Sequence, residues 1–232
     1  MGNHTITLEC QAVIFDLDGT LIDSINAIRR IWQEWGEGHN IDNPHLLDIA
    51  ISMRTTEAVR FLAPHLNTAR ETEYLENAEA TELDGVESID GARELLLSLP
   101  HQAWGIATSI TRRTAIAKLN HVNLPIPTVL VASEDVERGK PAPDGYLLAA
   151  ERFGLAADRC VVIEDTPLGI QAACAAGMVV IGLATTHPVK LIQQASVIVA
   201  SLRDIEVSVI PAGKYEQTKS NRPLIGLHIK LL

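Results

Sequence analysis

An α/β fold, built on a parallel sheet flanked by helices and interrupted once by a helical insertion, is predicted by three observations. Short apolar runs rich in β-branched residues recur along the chain, and most gaps between them carry a helical pattern. One long gap, from about residue 23 to residue 85, carries several helical patterns and no strand signal. Continuous apolar runs suit strands buried on both faces. Alternation with helices makes neighbouring strands parallel, because each helix returns the chain to the same end of the sheet.

The first strand is Ala12-Val13-Ile14-Phe15, and the insertion follows it. There Ile25, Ile28, Trp32 and Trp35 fall on one helical face, with Gly36 and Gly38 as stop signals. Asn43-Pro44 reads as an N-cap followed by a first-turn proline, and Thr68-Ala69-Arg70-Glu71 as a capping box. Beyond the insertion a helix is expected over Gly91–Leu99, capped by Asp90, and then a strand at Trp104–Ala107. Helices at Thr111–His121 and Asp144–Phe153, the latter closed by Gly154, flank a strand at Val129–Val131. A strand at Val161–Ile163 leads to a helix at Leu168–Ala176 that stops at Gly177, and strands at Val179–Ile181 and Val197–Val199 follow. The division this implies is a Rossmann-like core of residues 1–22 and 86–211, a helical cap of residues 23–85, and a tail of residues 212–232. The tail is basic through Lys214, Lys219, Arg222 and Lys230. Its Leu227, Ile229 and Leu231 alternate as an edge strand would, and a partly ordered appendage without a binding role is expected.

A chain of 232 residues suits one domain carrying an insertion, and 47% apolar against 21% charged residues supports a sizeable core. Nineteen Lys and Arg against 29 Asp and Glu give a net charge of -10, which argues against non-specific nucleic-acid binding. An anionic substrate would therefore need local positive charge. Cys10, Cys160 and Cys174 have no metal-site spacing and read as small residues in a reducing compartment. No basic region followed by an apolar run opens the chain and no apolar stretch reaches membrane-spanning length, so a cytoplasmic protein that does not meet a membrane is expected. No interface signal is visible, and a monomer is expected.

In a sheet of this kind ligands bind beyond the carboxyl ends of the strands. Asp16, Asp18, Gly19 and Thr20 follow the first strand, Thr108 and Ser109 the second, and Glu164-Asp165 the fourth; a polar loop carries the third to Lys140. Each piece alone has a plain reading: a turn, a helix cap, a solvated lysine. Their common position at four strand exits is what makes a site. Carboxylates converging without His or Cys make a hard oxygen site suited to Mg²⁺. Thr108, Ser109 and Lys140 are donors suited to phosphate oxygens.

The four segments resemble the motifs of the haloacid-dehalogenase-like superfamily: Asp16-Leu17-Asp18-Gly19-Thr20, Thr108, Lys140 in Gly139-Lys140-Pro141-Ala142-Pro143-Asp144, and Glu164-Asp165. The resemblance spans roughly residues 9 to 205, and the insertion resembles a helical cap in members of that superfamily. More narrowly, Ala27–Trp32, Trp104–Ser109 and Gly182–Thr186 resemble the sugar-phosphate and glycerol-phosphate phosphatases. The resemblance implies hydrolysis of a small phosphorylated metabolite. Asp16 would be the nucleophile and Asp18 the acid and base, with Thr108, the Ser109 backbone and Lys140 on the phosphoryl oxygens. Thr20 would lie on the substrate side. Mg²⁺ would be held by Asp16, the Asp18 carbonyl and Asp165, with Glu164 behind them or acting through water. Arg54, after Ile51-Ser52-Met53, is expected to touch substrate; a solvated helix-start arginine is the plain alternative. Two departures from the resemblance stand out: Asp90-Gly91 where Pro-Gly is common, and Ile28 where the β-phosphoglucomutase branch carries a cap histidine. A phosphosugar mutase and a non-catalytic binding module on the same fold remain the alternatives.

Overall fold

The computed structural model describes residues 6–210 and 226–231. Strand β1 (Ile6–Cys10) and strand β2 (Ala12–Phe15) are separated by Gln11. All four residues of β2 are buried, Ala12 and Ile14 in one core cluster and Val13 and Phe15 in another on the opposite face. That is the period-two pattern of a strand covered on both sides. The chain then passes through a two-residue strand, β3 (Ile22–Asp23), into helices α1 (Ile25–Gly38), α2 (Leu46–Ser52), α3 (Thr55–Leu62) and α4 (Thr68–Thr81). It returns through β4 (Glu87–Ser88), which pairs antiparallel with β3, so the outgoing and returning chains run as one short ribbon.

Beyond the ribbon run α5 (Ala92–Ser98), β5 (Trp104–Ala107), α6 (Arg112–His121), β6 (Val129–Val131), α7 (Asp144–Phe153) and β7 (Cys160–Glu164). They are followed by α8 (Pro167–Ala175), β8 (Val179–Leu183), β9 (Val197–Val199), β10 (Ile205–Ile210) and β11 (Gly226–Leu231). Six strands form a parallel sheet in the order β6-β5-β2-β7-β8-β9. The chain builds outward from β2 to β5 and β6, then crosses back to β7 on the other side. That reversal leaves a crevice at the carboxyl end of β2, where open α/β sheets bind ligands. The four helices between β3 and β4 have their own core around Ile28, Ile31, Trp32, Trp35 and Val59.

The helix ends show where local reading and structure part. Asn67, not Thr68, caps α4, its side chain accepting from the Arg70 N–H at 3.2 Å. Glu71 is drawn inward instead, accepting from Trp35 Nε1 at 3.0 Å. Asp90 does not cap α5; Gly91 holds that position at φ 86, and Asp90 pairs with Arg203. Asn43 closes a turn onto the His45 N–H, and α2 begins only at Leu46. Helix α1 runs through Gly36, where a Cβ would stand 3.0 Å from Leu46 Cδ1, and stops at Gly38.

The tail corrects a larger expectation. Strand β11 is the middle strand, not the edge, of an antiparallel sheet β1-β11-β10, and Ile229 and Leu231 are buried in the main core. The flanking strands alternate apolar and polar residues, so neither carries the uninterrupted apolar run that marks the strands of the parallel sheet. Lys230 pairs with Glu206 at 2.9 Å, whereas Lys214, Lys219 and Arg222 lie outside the described residues.

Candidate active site

Asp16 follows β2 directly and is buried at the head of the crevice. Gly19 turns the chain behind it at φ 87, and a Cβ there would stand 2.2 Å from Asp165 Oδ2, so only glycine fits. Lys140 Nζ donates to Asp16 Oδ1 at 2.5 Å and also to Glu164 Oε1. Glu164 is held from every side: its Oε1 also accepts from the Tyr146 hydroxyl, and its Oε2 from the N–H and hydroxyl of Thr166. A Cβ on Gly169 would lie 1.6 Å from Glu164 Oε1, so the start of α8 is shaped around that carboxylate. Glu164 therefore aims Lys140 at Asp16.

Asp165 accepts from the Thr20 hydroxyl at 2.8 Å and from Thr186. Thr20 is fully buried, and its hydroxyl is directed at Asp165. One carboxylate oxygen each of Asp16, Glu164 and Asp165 lies within 4.8 Å of the others. Of these three buried acids, Asp16 and Glu164 share the Lys140 ammonium, whereas Asp165 is held by hydroxyls. Burial first, then Glu164 and Asp18, raise Asp16 to about 7 against the pull of Lys140. Burial, Glu164 and Asp16 likewise hold Asp165 well above the carboxylate range. Burial pulls Lys140 down, yet Asp16 and Glu164 outweigh it and hold the ammonium firmly charged. An all-oxygen donor set with surplus negative charge fits a hard divalent cation. Asp16 and Asp165 are the side chains best placed to hold one, since Glu164 is already fully hydrogen-bonded.

The Asp18 carboxylate points away from this cluster. Its Oδ1 accepts from the Ser24 hydroxyl and, at 2.8 Å, from Lys118 Nζ. Lys118 is 1% exposed on the buried face of α6, and Glu79 of α4 approaches it from the insertion. Burial raises Glu79, while Lys118 and the Trp32 N–H, 2.8 Å from Glu79 Oε1, hold it down.

Thr108 and Ser109 follow β5 and line one cavity together with Asp16, Asp18 and Lys140. The insertion covers that cavity with Ile28, Ile51, Met53, Thr55 and Glu79. Arg54 lines a neighbouring cavity together with Thr108, Ser109 and Lys140. It donates from Nε and Nη2 to Glu57, from Nη1 to the carbonyls of Ser133 and Val136, and from Nη2 to that of Glu137 at 2.9 Å. All five of its donors are thereby used, and they tie the insertion to the loop after β6.

The crevice thus gathers Asp16, Asp18, Thr108, Ser109, Lys140, Glu164 and Asp165 from four strand exits. Sequence reasoning missed Lys118, Glu79, Ser24, Tyr146 and Thr186. Thr186 follows β8, a fifth strand exit, so the rule that located the others also locates it. Lys118 sits beside Ala115 and Leu119 on the apolar side of α6, a position that signals a paired buried lysine.

Comparison with known proteins agrees with this geometry. The family model described as haloacid dehalogenase-like hydrolase matches residues 13–183. Hexitol phosphatase A of Escherichia coli (strain K12) is 36% identical over 89% of this chain and 98% of its own. Glycerol-1-phosphate phosphohydrolase 2 of Saccharomyces cerevisiae is 33% identical over 82% of this chain and 80% of its own. Among solved structures, a hydrolase from Pseudomonas syringae superposes with a TM-score of 0.71 at 29% identity, over 81% of this chain and 92% of that one. The matched span runs from β2 through β8 and includes Asp16, Asp18, Thr108, Ser109, Lys140, Glu164 and Asp165. The chain belongs to the haloacid dehalogenase-like hydrolase family.

Proposed function

We propose that the protein is a Mg²⁺-dependent phosphatase that hydrolyses small sugar or polyol phosphate monoesters, with residues 23–85 acting as a cap over a core of residues 1–22 and 86–211. The observation that carries this reading is the buried Asp16 carboxylate, bonded through Oδ1 to Lys140 and facing the cavity that Thr108 and Ser109 line. The names of the similar proteins, a hexitol phosphatase and a glycerol-1-phosphate phosphohydrolase, support the substrate class.

In this mechanism Asp16 attacks phosphorus and forms an aspartyl-phosphate while the bond to the leaving oxygen breaks. Lys140, Thr108 and the Ser109 backbone hold the phosphoryl oxygens in line. Lys118 and Ser24 fix Oδ1 of Asp18, which leaves Oδ2 to deliver a proton to the leaving alkoxide and then to take one from the attacking water. Asp16, Asp165 and the Asp18 carbonyl would hold Mg²⁺, which when bound neutralises charge on the phosphoryl group. A mutase must hold a second phosphate in the cap, and a silent binding module would not need every reacting position filled; neither matches these residues as well.

Phosphate release measured across glycerol, hexitol, hexose and deoxyhexose phosphates, with Mg²⁺ and after chelation, tests the proposal. Release from at least one ester, lost on chelation and restored by Mg²⁺, is expected. Conversion of a hexose 1-phosphate to its 6-phosphate without free phosphate would replace it with the mutase reading.

A further inference from the structure

The half of the cavity beyond the phosphoryl-binding residues belongs to the leaving group, and its chemistry is unusual. Ile28, Ile51 and Met53 make it apolar, and Thr55 and Glu79 are the polar groups there. Glu79 is 5% exposed and presents one oxygen to Trp32 Nε1 at 2.8 Å. The described residues give its other oxygen no donor, although the side chain lines the cavity. That oxygen is open to the cavity, where a hydroxyl can donate to it.

The cations near this half are committed elsewhere. Lys140 is bonded to Asp16 and Glu164, Lys118 to Asp18, and Arg54 spends its donors on Glu57 and three carbonyls. Among the described residues lining this cavity, a second phosphate or a carboxylate on the leaving group would meet Glu79 and Asp18 with no cation free of a carboxylate partner. A hydroxyl there would instead give Glu79 the donor it lacks.

We propose that Glu79 is a specificity-determining residue that accepts a hydrogen bond from a leaving-group hydroxyl and rejects leaving groups carrying a second anionic group, so that the substrates are monophosphates of neutral polyols or sugars. This rests on the phosphatase reading above. Site design supports the two-sided role, because selectivity comes from the repulsive element as well as the attractive one.

The test is kcat/KM with Mg²⁺ for a hexitol 6-phosphate and the matching hexitol 1,6-bisphosphate, in the wild-type enzyme and in Glu79→Gln and Glu79→Asp. The wild type should prefer the monophosphate by about a hundredfold or more, the scale on which juxtaposed like charges discriminate. Glu79→Gln keeps an acceptor for Trp32 and removes the charge, and it should lower that preference by about tenfold or more, mainly through KM. Glu79→Asp keeps the charge and should retain the preference. Equal kcat/KM for the two esters in the wild type overturns the inference without any variant. So does a preference unchanged in Glu79→Gln, even if both activities fall, because a merely structural role lowers both together. Absence of phosphate release from both esters and from the glycerol, hexose and deoxyhexose phosphates in the wild type overturns the phosphatase reading itself, and the inference with it.

Discussion

The Lys118 ammonium stands 2.8 Å from Oδ1 of Asp18, with both groups buried between α6 and the turn after β2. A lysine sequestered this completely persists because its charge is paired, and breaking such a pair leaves an uncompensated charge behind. Lys118→Met should therefore lose about 3–5 kcal/mol of stability in urea unfolding. It should also lower kcat/KM about a hundredfold for an alkyl phosphate, the scale of general acid catalysis. For p-nitrophenyl phosphate, whose leaving group needs no proton, the loss should be several-fold at most. Equal losses on both esters would show that Lys118 supports the fold without positioning the acid.

Gly169 sets the place of Glu164, since a Cβ would lie 1.6 Å from Glu164 Oε1. Gly169→Ala should displace that carboxylate and release Lys140 from its second partner. We expect a destabilisation of about 1–3 kcal/mol, as for other overpacked sites, together with a fall in kcat. A variant with wild-type stability and kcat would mean that Glu164 does not aim the lysine.

Arg54 ties the insertion to the loop after β6 through the carbonyls of Ser133, Val136 and Glu137. Arg54→Ala should speed amide hydrogen exchange across residues 133–138 and in α3. Arg54→Lys should not restore protection, because an ammonium has three donors and no planar fork. Unchanged exchange in both variants would remove the anchoring role.

Burial pushes the Cys10 and Cys160 thiols up to about 12, whereas Cys174 is exposed. The thiolate is the reactive form, so a raised value leaves almost none of it at pH 8. Native protein should react with one equivalent of a thiol reagent at that pH, at Cys174, and with three after unfolding. Rapid labelling of Cys10 or Cys160 in the native state would contradict the packing around β1 and β7.

What was legible in the chain followed from local signals. Ala12–Phe15 and the other five runs of the parallel sheet are apolar without interruption because helices cover both faces, so burial is written directly into them. The site residues were readable because strand exits converge whatever the side chains do. The pairing of β1 and β10 with β11 was not readable, since alternating strands such as Ile6–Cys10 and Ile205–Ile210 show one apolar face but not which strand they join, and β1 and β11 stand at opposite ends of the chain. Nor were Lys118 and Glu79, whose meaning comes from a helix of the core and a helix of the insertion packing together. Arg54 has a fork that suits an anion equally well as backbone carbonyls, and only the position of the loop after β6 decides between them.

The central claim is that Asp16 becomes covalently phosphorylated. Acid-quenched turnover of a hexitol or glycerol phosphate with Mg²⁺, followed by peptide mass analysis, measures this directly. The account predicts one added phosphoryl group on the peptide containing Asp16, absent in Asp16→Asn together with phosphate release. An Asp16→Asn enzyme that still released phosphate, or a phosphoryl group found on another residue, would contradict it.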